Sequence, residues 1–104
     1  MDFSQIQPVI EQVLISIYNY APDAKEHIAS ILEAVQSGKI VVAALSTLIV
    51  KVPNLPELVN QFIVLVRSGA GVYEIASTLT ELATNLGISA ESLLQLLAIF
   101  AGLL

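Results

Sequence analysis

Gly38, Pro53, Pro56, Gly69 and Gly87 cut this chain into helical segments too short to cross a bilayer, and that limits what it can fold into. The cuts matter because the chain is otherwise nearly as apolar as a membrane protein, with 56% hydrophobic residues and a mean hydropathy of +0.81. Its thirteen charged side chains are spread so evenly that no apolar run reaches the ~18–20 residues of a span. The longest uncharged stretches are Ile40–Val50 and Ser92–Leu104, and polar side chains interrupt both. The expected product is a set of amphipathic helices whose apolar faces are wide for a domain of 104 residues. What those faces cover is the functional question.

Helical periodicity runs nearly end to end and divides into about six segments. The first, Phe3–Tyr20, sets Gln5, Gln12, Ser16 and Asn19 opposite Ile6, Val9, Ile10, Val13 and Ile17, and its regular part is expected from Pro8, where a missing N–H costs little. Ala21-Pro22-Asp23 breaks the chain. A second helix, 23–36, carries His27, Ile28, Ile31, Leu32 and Val35 on its inner face, and Gly38 supplies a left-handed stop. The third, Ile40–Val50, is almost wholly apolar and should be the most buried. Asn54 and Glu57 read as a capping box for Pro56–Arg67. Val72–Leu86 ends at Gly87, and Ser89 caps a last, leucine-rich helix. No strand pattern is present. The reading is all-α: one domain over 1–104, a compact bundle or shell of five to six short helices.

Val35–Leu48 also lines up with Val66–Leu79, seven of fourteen positions being identical at an offset of 31. The match reads either as a duplicated helical hairpin, 24–51 and 55–86, or as the likeness of any two amphipathic helices joined by Ser-Gly.

Charge and residue types exclude several functions. Nine acidic residues against four basic give a net charge of −5, which argues against nucleic acid and against electrostatic docking on anionic lipid. With no cysteine there is neither disulfide nor thiolate metal site, and no cofactor motif is present. A catalytic triad would have to be built round His27, the one histidine, which falls on an apolar face. Glu11, Glu26, Glu33, Glu57, Glu74, Glu81 and Glu91 fall on polar stripes and read as solvated. Gly69-Ala70-Gly71 has neither the preceding strand nor the following Lys-Ser/Thr of a phosphate loop. We therefore expect no enzyme and no metal.

Three uses remain for the surplus apolar surface: lining a cavity for fatty acids or phospholipids, forming interfaces in a self-assembling subunit, or opening onto a membrane. Area alone can hold an acyl chain, at roughly 0.8 kcal/mol per buried methylene, so the cavity comes first. Its expected lining, from the apolar faces, is Val42, Leu45, Leu48, Phe62, Val66, Leu79, Leu97 and Phe100, with His27 and Tyr73 as contacts for a polar head.

Pro8-Val9-x-Glu11, Tyr20-Ala21-Pro22-Asp23-Ala24, Leu55-Pro56, Gly69-Ala70-Gly71-Val72-Tyr73 and Leu86-Gly87 together resemble the insect allergen-related repeat of cockroach gut allergens and midgut proteins. The resemblance implies a helical repeat, two of which enclose a lipid cavity, and hence a homodimer or higher homo-oligomer. It also implies an extracellular setting such as the gut lumen. The start Met1-Asp2-Phe3-Ser4 has no signal-peptide pattern, which suits a cytoplasmic protein, part of an assembly, or a mature chain with an added Met.

Overall fold

The first helix starts five residues earlier than Pro8, because Asp2 and Gln5 cap it reciprocally. The Asp2 carboxylate accepts the Gln5 N–H at 3.1 Å, and the Gln5 side-chain oxygen accepts the Asp2 N–H at 3.2 Å. Helix α1 (Phe3–Tyr18) therefore runs through Pro8. Proline leaves the Ser4 carbonyl without its helical donor, a small cost where both residues face solvent. The computed structural model describes residues 2–19 and 24–103. The expected break at Ala21-Pro22-Asp23, and Tyr20, lie outside them.

Five more helices follow: α2 (Ala24–Gln36), α3 (Ala43–Lys51), α4 (Leu55–Arg67), α5 (Val72–Asn85) and α6 (Ala90–Leu103). Among the described residues there is no strand, and the fold is an all-α bundle. Gly38, Gly69 and Gly87 all take positive φ, 79°, 80° and 73°, and each closes the helix before it. In each case the glycine N–H and the next N–H turn back onto the last carbonyls: Gly38 to Val35 and Lys39 to Ala34, Gly69 to Val66 and Ala70 to Leu65, Gly87 to Thr84 and Ile88 to Ala83. Ser89 caps α6 as expected, accepting the Ser92 N–H at 3.1 Å.

The Asn54 expectation is overturned. Its side chain makes no cap bond and instead donates to the Leu86 carbonyl at 2.9 Å, pinning the α3–α4 turn to the end of α5.

Helix α1 packs on α5 and α6, α2 lies along α4, and α4 lies on α5. Their shared core is close to water-free: Ile6, Ile10, Leu14, Leu58, Ile75, Leu79, Leu93 and Leu97 are all 0% exposed. Thr80 is the one buried polar side chain among the described residues, and its hydroxyl donates to the Ser77 carbonyl at 2.8 Å. Accessible surface totals 5569 Å², against about 5,700 Å² for a monomer of 11.1 kDa. One copy thus closes its own core.

Helix α3 reverses its expected place. Among the described elements it touches only α6 and α4, and of its own residues only Leu45 and Leu48 are buried. The burial goes instead to α4, with six buried residues, and to α5 and α6 with five each. The reason is area: around its two leucines α3 offers Ala43, Ala44, Ser46 and Thr47, side chains too small to draw a helix of nine residues into the centre.

Candidate functional site

The residues expected to line a cavity do become buried: Leu45, Leu48, Phe62, Val66, Leu79, Leu97 and Phe100 fully, Val42 in part. They are spread over α3, α4, α5 and α6 and pack as core. Phe62 and Phe100 meet edge-on, ring centroids 6.3 Å apart. Beside them Ile17, Ile28, Ile31 and Leu32 complete the walls of an apolar void of about 10 Å³. Pockets that take organic ligands run to roughly 300–1,000 Å³, so this closed bundle holds no acyl chain at that point.

The two proposed head-group contacts stand elsewhere. His27 was expected on the inner face of α2 but is exposed, because the buried stripe runs through Ile28, Ala29 and Leu32, and one residue rotates a helix by 100°. Tyr73 is 75% exposed. The seven glutamates lie as expected, exposed except for half-buried Glu11, and among the described residues no three His, Cys, Asp or Glu side chains cluster.

An open groove of about 750 Å³ runs between α2 and α4. Polar contacts bridge the two helices there. The Gln36 amide donates to the Pro56 carbonyl and the Asn60 side chain, both at 2.9 Å, and Arg67 pairs with Glu33. The guanidinium holds the Glu33 carboxyl below the usual carboxylate range, with Lys39 adding a little. These side chains are exposed, so the groove is a solvated seam. Elsewhere, burial pushes the Tyr18 hydroxyl up to about 12.

The surface that stands out is the outward side of α3 and the segment leading into it. Val41 is 83% exposed and Val50 82%, with Ile40, Ala43, Ala44, Ser46 and Thr47 also facing solvent. The Thr47 hydroxyl donates to the Ala43 carbonyl at 3.1 Å, so the helix itself satisfies that polar group. Lys39 and Lys51, both exposed, mark the two ends. Other exposed large apolar side chains are Val9 and Ile15 on α1, Val64 on α4 and Tyr73 on α5. Single exposures of that kind are ordinary, whereas a continuous run is not. The sequence predicts Ile40–Val50 to be the most buried helix, whereas this side of it faces solvent.

Among the described residues no single helix is long and apolar enough to cross a membrane. Helices α3 and α4 together have the length and composition but are bent by 120°. Comparison with protein-family models, curated proteins and solved structures finds no match for the chain.

Proposed function

We propose that the chain is a non-enzymatic binding module that docks on an apolar surface through the outward side of α3. The observation that carries this is the exposure of Val41 and Val50, above 80% each, at the two ends of a run with no charge. Water contact there costs free energy that a partner would relieve. The surface area supports the same reading: one copy already closes its own core, so the apolar excess left over is local.

Retention on an immobilised octyl matrix tests this. The double variant Val41→Asp/Val50→Asp changes only exposed side chains and should still fold, its Tm slightly lowered because Asp in the last turn of α3 opposes the helix dipole, yet elute much earlier than the parent. Equal retention of the two would overturn the reading.

The void beside Phe62 and Phe100 favours a second reading, the lipid cavity that the insect-repeat resemblance implies. Taking an acyl chain there requires α1, α2, α4 and α6 to part by on the order of 300 Å³ as two copies pair. Its mark is lipid that co-purifies in fixed ratio with a dimer. A self-assembling subunit without ligand would instead show a lipid-free ladder of oligomers by native mass spectrometry.

A further inference from the structure

The charge around α3 does not match the rest of the chain. Residues 38–56 hold two lysines and no carboxylate, while the other 85 residues hold two basic side chains and nine acidic ones. A protein of net charge −5 therefore presents one positive, apolar strip. Lys39 and Lys51 bracket it, exposed and twelve positions apart. We infer that the occupant of this strip is an anionic membrane surface, on which α3 lies in the plane of the headgroups. The inference rests on the docking reading given above.

Three observations select that occupant. At each end of the strip an exposed valine stands beside a lysine, Val41 with Lys39 and Val50 with Lys51, so its occupant must offer negative charge and apolar surface side by side, as a lipid interface does. A second copy does not fit: antiparallel pairing of two α3 helices sets Lys39 against the partner's Lys51, parallel pairing sets each lysine against itself, and two net-negative bundles are brought together besides. The middle of the strip also lacks what protein interfaces are anchored by. Its side chains are valine, isoleucine, alanine, serine and threonine, with no aromatic ring and no arginine to fill a pocket. Such a surface binds by area alone, and lipid asks for nothing more.

Size fixes the depth. Nine residues of helix are about 13 Å long, far short of a bilayer's hydrocarbon, so α3 sinks only into the headgroup boundary. The lysine stems can lie along the apolar strip with their ammonium groups at phosphate level. Two lysines are not a polybasic patch, and on a total count the chain looks unsuited to anionic lipid. The local balance is what changes that: the 19 residues 38–56 bring two ammonium groups and no carboxylate to this surface, with Glu33 near Lys39 across the α2–α4 groove.

Vesicle flotation of the full chain at low salt tests the inference, using phosphatidylcholine vesicles with and without phosphatidylglycerol. The parent should float with the phosphatidylglycerol vesicles and only weakly with the others. Lys39→Gln and Lys51→Gln should each weaken that binding roughly five-fold. Val41→Asp/Val50→Asp should abolish it while the variant remains folded at the assay temperature. Equal binding to the two vesicle types, or full binding by the valine variant, would overturn the inference. Absence of binding to either vesicle would overturn it too. If octyl retention then still depended on Val41 and Val50, the docking reading would stand and the partner would be an acidic protein. If that dependence were also missing, both would fall.

Discussion

The two Ser-Gly corners of this molecule, one joining α2 to α3 and one joining α4 to α5, begin alike and end differently. Gly38 and Gly69 share φ within a degree, and Ser37 and Ser68 each turn the hydroxyl back onto a carbonyl three residues earlier, Ala34 and Leu65. From there they diverge. In the first corner the N–H groups of Lys39 and Ile40 both turn to the Ala34 carbonyl, and the next helix waits until Ala43. In the second, Gly71 stands where Ile40 stood, takes an extended conformation and caps α5 at once. Ala70, the counterpart of Lys39, is buried. The helices that follow differ accordingly: α5 runs for 14 residues against α1, while α3 runs for nine at the edge. A shared corner thus fixes where a helix ends, and the two residues after the glycine decide whether the next one joins the core.

The comparison can be broken most sharply at Leu79 and Leu48, which occupy matching positions. Leu79→Ala should cost about 3–5 kcal/mol in urea unfolding, because it empties a site sealed on all sides. Leu48→Ala, at the edge where water can fill the gap, should cost about 2 kcal/mol. Equal losses would mean that α3 belongs to the core as fully as α5 does. The corners themselves should behave alike. Nothing lies within 4 Å of a β-carbon built on Gly38 or Gly69, so substitution by alanine should cost each about 1–2 kcal/mol through φ alone.

A smaller change converts one helix toward the other. Glu74 sits in the first turn of α5, and its counterpart in α3 is Ala43, in a first turn with no acidic residue. Ala43→Glu should raise stability by about 0.5 kcal/mol through the helix dipole, and at the same time lower octyl retention. A variant that is more stable but binds less would separate the strip's function from its folding.

Smallest of all is the tie between the two hairpins. Glu33→Gln removes the pairing with Arg67, and on an exposed pair the Tm should stay within measurement error. Because the folded carboxyl titrates below its ordinary range, whatever stability it adds is present above about pH 4.5 and lost as pH falls through the lowered value. A melt series from neutral to acid pH should show parent and variant together throughout, and a gap opening above about pH 4.5 would mean that the pair holds the two helices more firmly than exposed pairs do.

Much of this fold was legible in the sequence, for local reasons. Gly38, Gly69 and Gly87 stop helices by backbone conformation, and the Ser89 cap acts within one turn, so neither depends on distant partners. The start of α1 was legible as well, in Asp2 and Gln5, but Pro8 drew attention away from it. What local pattern does not carry is which helix lies at the centre. Ile40–Val50 is rich in apolar residues, yet only alanine, serine and threonine surround its two buried leucines, and burial follows area and neighbours rather than residue type. His27 failed for a related reason, since it lies a single 100° step from Ile28 and the stripe on α2 is narrow. The exposed side of α3 was visible only as an uncharged run. The lysines that bracket it in an acidic protein were visible there too, but that none of the described helices packs on its outward side needed the fold.

Hydrogen exchange of the full chain, with and without phosphatidylglycerol-containing vesicles, follows this surface in a single experiment. The expected result is slowed exchange confined to residues 40–51, with α1 and α5 unchanged and the Val41→Asp/Val50→Asp variant showing no slowing. Slowed exchange centred on α1 or α5, or none anywhere, would contradict α3 as the docking surface.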